Sequence, residues 1–244
     1  MSSSKEQSAV PLKQGDEAKI HINGRDCTIH EADALALAEH NRNNHEAALA
    51  IYDQIVKVFP LSSGGWNNRA AMLDLLDRRE EALASVDKAL ELKPRYEGFH
   101  SNRGDLLREM DRYEEALASY DTALELRQDY FEPHYGRAIA LHATQRYEEA
   151  LVSIDKAIAL RYDFAGCHNN RGATLIKLER YQEAVISLDE AIIFDPTEAE
   201  SYNNRGVALQ RLRRFDEALE SLSMAIILKP RLAEPITVEE LYCG

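Results

Sequence analysis

The 244-residue sequence has few cysteines, the residues that disulfide and most redox chemistry require. Its three cysteines, Cys27, Cys167 and Cys243, are odd in number and far apart, and none forms a CxxC pair. Such spacing argues against a zinc or redox site and favours a reducing compartment. We therefore expect no cofactor and no metal.

Basic residues and long apolar runs are also scarce. Lys and Arg total 29 against 42 Asp and Glu, which gives a formal net charge of −13. Nucleic acids and anionic membranes both require clustered basic residues, so we expect neither as a partner. No stretch approaches the ~20 apolar residues of a membrane span, and the opening MSSSKEQSAVPLKQGDEAK lacks the apolar core of a secretory signal. A cytoplasmic location is the expectation.

The sequence does contain a long internal repeat. NNRGATLIKLERYQEAVISLDEAIIFDP begins at Asn169 and recurs from Asn203 as NNRGVALQRLRRFDEALESLSMAIILKP, a shift of 34 residues. Alanines keep this step through six copies: Ala48, Ala82, Ala116, Ala150, Ala184 and Ala218. The six units span 29–62, 63–96, 97–130, 131–164, 165–198 and 199–232.

Each unit has the pattern of two amphipathic helices. In the fifth unit, apolar or small residues recur every three or four positions, which is the helical period. Prolines close four units where the second helix must stop: Pro60, Pro94, Pro196 and Pro230. Small residues let the paired helices approach closely: Ala70, Gly104, Ala138, Gly172 and Gly206.

This period, together with the small residues, the closing prolines and the aromatics Tyr113, Tyr147, Tyr181 and Phe215, resembles the tetratricopeptide repeat. The resemblance covers residues 29–232 and implies an all-α fold, a right-handed α-solenoid (superhelix) of six helix-turn-helix repeats. The first unit departs most from the pattern, because Leu35 and Ala36 replace its Arg and small residue. A terminal repeat without an upstream neighbour is expected to differ in this way.

Short segments flank the repeats. Residues 1–17 are small, polar and charged and predict a disordered tail. Residues 18–28 form a lead-in, in which Asn23-Gly24 between apolar residues indicates a small hairpin. Thr28 with Glu31 predicts a capping box at the start of the first helix. Residues 233–244 are interpreted as a tail or a short capping turn.

The resemblance implies that the first helices line a concave groove that holds a peptide or protein segment. The candidate groove residues are Asn67, Asn68, Asn102, Tyr135, Asn169, Asn170, Asn203 and Asn204. Amides both donate and accept, so this ladder is similar to the asparagine ladder of O-linked N-acetylglucosamine transferases, which suits a peptide backbone of any sequence. The alternative is that the asparagines only decorate solvated helix starts. Gly136 interrupts the ladder, and no carboxylate clamp of the Hsp90-binding type is expected.

Two charged ladders share the same period. Arginines occur at Arg69, Arg103, Arg137, Arg171 and Arg205, and aspartates sixteen residues before them at Asp53, Asp87, Asp121, Asp155 and Asp189. The first unit has Leu35 in place of Arg, and the last has Ser223 in place of Asp. This asymmetry predicts that each Asp pairs with the Arg of the following unit. Binding of an acidic ligand by the arginines is the alternative.

No catalytic constellation is evident. His100, His134 and His168 recur too far apart to share one metal ion and are interpreted as packing residues. Paired glutamates such as Glu80 and Glu81 suit the starts of second helices. We therefore expect a non-catalytic scaffold or adaptor, not an enzyme, with a protein or peptide partner. The alternatives are the targeting arm of a glycosyltransferase-like enzyme, which needs a further domain, and a self-assembling structural protein.

Overall fold

The computed structural model describes residues 19–22 and 24–229, and these contain twelve helices and one two-stranded hairpin. The predicted all-α repeat fold is confirmed. The chain divides into two compact units, Met1–Pro94 (unit 1) and Arg95–Gly244 (unit 2). The expected tail at 1–17 and the expected capping turn at 233–244 lie outside the described residues.

Unit 1 contains the hairpin and two helix pairs. The hairpin strands are β1 (Ile20–Ile22) and β2 (Arg25–Cys27), and the helices are α1 (Ile29–Asn41), α2 (His45–Val58), α3 (Ser63–Leu75) and α4 (Arg79–Leu92). The strands are antiparallel, with Ile20 opposite Cys27, and both side chains are buried. The capping box is confirmed, because the Glu31 amide donates to Thr28 Oγ1 and the Thr28 amide donates to Glu31 Oε2.

Unit 2 contains four helix pairs. They are α5 (Glu97–Glu109), α6 (Tyr113–Leu126), α7 (Phe131–Ala143), α8 (Tyr147–Leu160), α9 (Ala165–Lys177), α10 (Tyr181–Phe194), α11 (Ala199–Arg211) and α12 (Phe215–Leu228). Each first helix packs on its own second helix, which also packs on the next first helix. The period-34 alanines of the second helices are fully buried between these neighbours.

The first helices of unit 2 form a layer of their own. The helix α5 contacts α7, α7 contacts α9, and α9 contacts α11. Among the described residues of unit 2, second helices make no comparable contact with one another. Because the first helices lie closer together than the second helices, the surface that they form in unit 2 is the concave one.

A left-handed residue makes the turn inside every repeat. The backbone φ is positive at Asn43, Asp77, Asp111, Gln145, Glu179 and Arg213, which lie 34 residues apart. The amide of the next residue then donates to a carbonyl five positions earlier, as Arg146 does to Leu141 at 2.8 Å. This is the 6→1 bond of a Schellman motif, which ends the first helix and lets the second begin at once. Asn and Asp tolerate this conformation better than Gln, Glu or Arg.

Gln145 provides a test of the strain in this turn. Its φ is 61° and its side chain is exposed. We expect Gln145→Gly to be more stable than Gln145→Ala by about 1 kcal/mol, because only glycine avoids the steric cost of the left-handed region. Urea denaturation of the two variants measures the difference. An alanine variant as stable as the glycine variant would show that the turn is unstrained.

Candidate functional site

The arginine ladder joins three helices at each step. In unit 2, Arg137 on α7 donates through Nε to Asp121 Oδ1 on α6 at 2.7 Å. Its Nη1 donates to Ser153 Oγ on α8, also at 2.7 Å. One guanidinium therefore connects the second helix of the preceding repeat with the second helix of its own repeat.

The same contact recurs in both units. Nε of the arginine meets the aspartate at 2.6 Å for Arg69–Asp53, 2.8 Å for Arg171–Asp155 and 2.5 Å for Arg205–Asp189. Arg103 donates to Ser119 at 2.8 Å within unit 2. The pair of Asp87 with Arg103 would join the two units and stays a prediction.

Sequence reasoning missed the serines of this network. Buried serines follow the arginines by sixteen residues: Ser85, Ser119, Ser153, Ser187 and Ser221. Their own 34-residue period was visible in the sequence, but a small polar residue on a helix has no strong pattern of its own. Each of these arginines therefore already has a protein acceptor. This argues against the alternative that the arginines bind an acidic ligand.

Exposure limits the energy of each ion pair. Asp121 is 53% exposed and Arg137 is 21% exposed, so water screens the aspartate more than the guanidinium. Ion pairs of this kind contribute at most about 1 kcal/mol. The ladder is better understood as fixing the stacking register, since each arginine has its acceptors at the correct place only in one arrangement of neighbouring helices.

A double-mutant cycle on Asp121 and Arg137 tests the pairing. We expect Asp121→Ala and Arg137→Ala to show an interaction energy of about 0.5–1 kcal/mol, because removal of either partner abolishes the same contact. The energy should decrease in 1 M salt, since much of the pair is solvent-accessible. Thermal or urea unfolding at both salt concentrations measures it. Additive costs at low salt would contradict the pairing.

In unit 2 the asparagine amides connect consecutive first helices. Asn170 Nδ2 on α9 donates to the hydroxyl of Tyr135 on α7 at 3.2 Å. Asn204 Nδ2 on α11 donates to Asn169 Oδ1 on α9 at 2.9 Å. Asn169 is only 3% exposed. Its burial removes Asn169 from the accessible surface of the first helices, whereas Asn170, Asn203 and Asn204 remain partly exposed.

Unit 1 uses an asparagine in the same way. Asn68 Nδ2 on α3 donates to Asp33 Oδ1 on α1 at 3.2 Å. The buried Tyr52 hydroxyl on α2 donates to the same oxygen at 3.0 Å. Asn67 forms a long bond of 3.4 Å with Asn68. The two interpretations of the asparagines are thus not exclusive, since Asn68, Asn170 and Asn204 each use one amide hydrogen within the fold and remain partly exposed.

The break in the ladder at Gly136 has a steric cause. Tyr120 on α6 is fully buried, and a Cβ on Gly136 would lie 2.5 Å from its hydroxyl and 2.6 Å from Cζ. The ring also packs against Gly104 on α5. Its hydroxyl donates to Asp105 Oδ1 at 2.7 Å. Burial raises the pKa of the Asp105 carboxyl to about 6.

Restoring the ladder at position 136 should therefore destabilise the protein. We expect Gly136→Asn to cost about 1–3 kcal/mol, because the rigid buried ring of Tyr120 cannot move away. In a Tyr120→Leu background the cost should be much smaller, since the equivalent positions two repeats later are occupied by Leu188 and Asn204. Urea denaturation of the four proteins measures the coupling. An equal cost in both backgrounds would refute the steric explanation.

The periodic ring residues at the starts of first helices are packing residues. Nε2 of His134 lies 2.9 Å from the carbonyl oxygen of Gln128, and Nε2 of His168 lies 2.7 Å from that of Tyr162. Trp66 Nε1 donates to the Pro60 carbonyl at 2.9 Å. Each ring contacts a carbonyl six residues earlier, in the turn that precedes its helix.

The remaining chemistry-bearing residues have structural environments. Cys167 is fully buried, and burial raises the pKa of its thiol to about 12, the reverse of what an attacking thiolate requires. Glu81 and its periodic equivalents accept two hydrogen bonds from an arginine three residues earlier. Among residues 19–22 and 24–229, no group of three or more His, Cys, Asp or Glu is arranged to hold a metal ion. No helix in that part of the chain is both long and apolar enough for a membrane span.

Comparisons with solved structures show the same repeat architecture. The structure of PilW, a type IV pilus biogenesis factor, has a TM-score of 0.76 and 18% identity over 84% of this chain and 95% of that chain. YrrB, a TPR protein with an unusual peptide-binding site, has a TM-score of 0.62 and 23% identity over 73% and 92%. MamA from Desulfovibrio magneticus RS-1 has a TM-score of 0.65 and 19% identity over 69% and 96%. No curated protein matches the chain in sequence.

Family profiles agree with the architecture and indicate no enzyme family. Profiles described as tetratricopeptide repeat match residues 34–97, 165–198 and 199–232, and one described as TPR repeat matches 104–145. Together these matches fall in all six 34-residue repeats, each of which contains one helix pair. The chain belongs to the tetratricopeptide repeat family.

Proposed function

We propose that this chain is a non-catalytic scaffold that binds an extended peptide or protein segment along the first-helix face of its repeats. Members of the family bind protein or peptide partners through such repeats, and YrrB is described as having a peptide-binding site. The observation that supports a site on this face is the layer of first helices in unit 2, which is concave and presents partly exposed amides.

The hydrogen-bonding capacity of this face exceeds what the fold uses. Asn170 and Asn204 each donate one hydrogen bond to a neighbouring helix, which leaves a carbonyl oxygen and a second amide hydrogen on each. The side chain of Asn203 forms no hydrogen bond with any described residue and is partly exposed. A peptide backbone offers alternating donors and acceptors that match such amides.

Apolar side chains lie beside the amides. Ile139 on α7, Ala173 on α9 and Val207 on α11 occupy equivalent positions in three consecutive repeats and are half-buried. They follow the asparagine positions by one helical turn, so they share the same face. The face therefore combines polar groups for a backbone with an apolar strip for side chains, as peptide grooves commonly do.

A display library of random dodecapeptides, selected on the full-length chain, tests the proposal. We expect Asn203→Ala and Asn170→Ala to weaken the selected peptides about 2- to 10-fold each, the value of one lost hydrogen bond. Glu125→Ala on α6 is the matched control, because this exposed residue belongs to a second helix. Fluorescence anisotropy measures the affinities.

Two outcomes would contradict a first-helix site. In one, the selected peptides lose affinity in Glu125→Ala as much as in Asn203→Ala. In the other, no asparagine replacement changes the affinity although the variants unfold at the wild-type urea concentration.

Self-association is a second candidate function. Leu219 and Ile226 on α12 are 53% and 48% exposed. Val185 on α10, which is equivalent to Leu219, is only 4% exposed because α11 covers it. A second copy of the chain would bury such a face. Light scattering over a range of concentrations distinguishes the two candidates, since a scaffold that works alone keeps a constant mass.

A cytoplasmic location also remains our proposal, because the buried Cys27 and Cys167 are free thiols.

A further inference from the structure

Charge in unit 2 is divided between its two helix layers. The four second helices contain thirteen acidic residues and one basic residue, Lys156. The four first helices contain five acidic and seven basic residues. The strong negative charge of the chain therefore belongs mainly to the second helices, and the first-helix face is close to neutral with a basic excess.

Five of the seven first-helix cations have a partner within unit 2. Arg137, Arg171 and Arg205 donate to aspartates, and Arg103 donates to Ser119. Arg108 lies 3.4 Å from Glu109. Lys177 and Arg211 form no ion pair with any described residue, and both side chains are exposed. These two cations are the ones that the fold does not use.

The two unpaired cations share the face of the candidate groove. Lys177 follows Asn170 by seven residues on α9, and Arg211 follows Asn204 by seven residues on α11. Residues seven apart lie two turns along the same side of a helix. The side of α9 that faces α7 is marked by Thr174, whose Oγ1 lies 2.9 Å from His142 Nδ1. Lys177 follows Thr174 by three residues, about one helical turn. Burial lowers the pKa of His142, and the positive charge of Lys177 adds to the effect.

The surrounding charges leave this end of the face positive. The turn after α9 has Glu179 and the turn after α11 has Arg213, and their charges offset each other. Glu200 lies at the opposite end of α11, about 16 Å from Arg211 along the axis at 1.5 Å per residue. On α5 the position equivalent to Lys177 is Glu109, and on α7 it is Ala143. The positive end is thus confined to the last two repeats of unit 2.

We infer that the segment bound on the first-helix face is acidic, with carboxylates that meet Lys177 and Arg211 and small apolar side chains that cover Ala173 and Val207. This inference rests on the proposed function and specifies its ligand class. The argument is charge complementarity. Acidic second helices repel an acidic ligand from the outer surface of unit 2, whereas the unpaired cations attract it to the groove side.

The test uses the same random dodecapeptide library on the full-length chain. Selected peptides should be enriched in Asp and Glu, and their affinity should decrease as NaCl is raised, because exposed charge pairs are screened. The double variant Lys177→Glu and Arg211→Glu should bind these peptides at least about tenfold more weakly. Lys156→Glu on α8 is the matched control, since it reverses one exposed cation of a second helix.

The possible results separate this inference from the proposed function. Selected peptides without acidic enrichment that still depend on Asn203 would overturn the acidic ligand and leave the groove in place. Binding that depends on neither Asn203 nor the two cations would overturn both. An affinity that rises when Glu239 and Glu240 are replaced by Gln would assign the site to the chain's own C-terminal segment and overturn a separate partner. Urea unfolding at wild-type concentrations excludes misfolding of the charge-reversed variant.

Discussion

The structure depends on a helix pair whose apolar faces cannot be covered within one repeat. One buried cluster shows this directly, because it joins Leu151 of the fourth repeat with Leu188 of the fifth and Leu209 of the sixth. Each repeat therefore requires its neighbours for a continuous core. The buried alanines at the closest contacts keep the helices near enough for this sharing. The arginine–aspartate and asparagine ladders are a consequence of the same stacking. A side chain that contacts the adjacent repeat does so once in every repeat, so its position recurs every 34 residues.

Much of the fold could be predicted from the sequence because the period fixes where local signals recur. The first helices begin at the first residues of the six sequence units, and Thr28 marks the first of them. The direction of the aspartate–arginine pairs followed from Leu35 and Ser223, because end repeats lose the residues that have no neighbour. Four such pairs are present within the two units.

Other features could not be predicted from the sequence, because they depend on contacts between different helices. Gly136 looked like a defect in the asparagine ladder, but its cause is Tyr120, a residue of a different helix that is buried against it. Asn169 and Asn170 are adjacent in sequence, and only the helix rotation makes one buried and the other accessible. The left-handed turns were missed because Gln145, Glu179 and Arg213 are not residue types that signal such a conformation. The candidate site is accordingly smaller than the sequence suggested and has a polarity that the asparagines alone did not reveal.

The match between Tyr120 and Gly136 has a consequence for the order of the repeats. Similar repeats in tandem can in principle stack out of sequence, for instance through exchange between two chains or after loss of one copy. Removal of residues 131–164 would place Asn170 where Gly136 stands and would force an amide side chain against the phenol ring. Only the fourth repeat has a glycine at this position, and the Tyr120 ring needs the space that the absent side chain leaves. The third and fourth repeats are thus sterically matched to each other, and this match disfavours any other order of the repeats at that position.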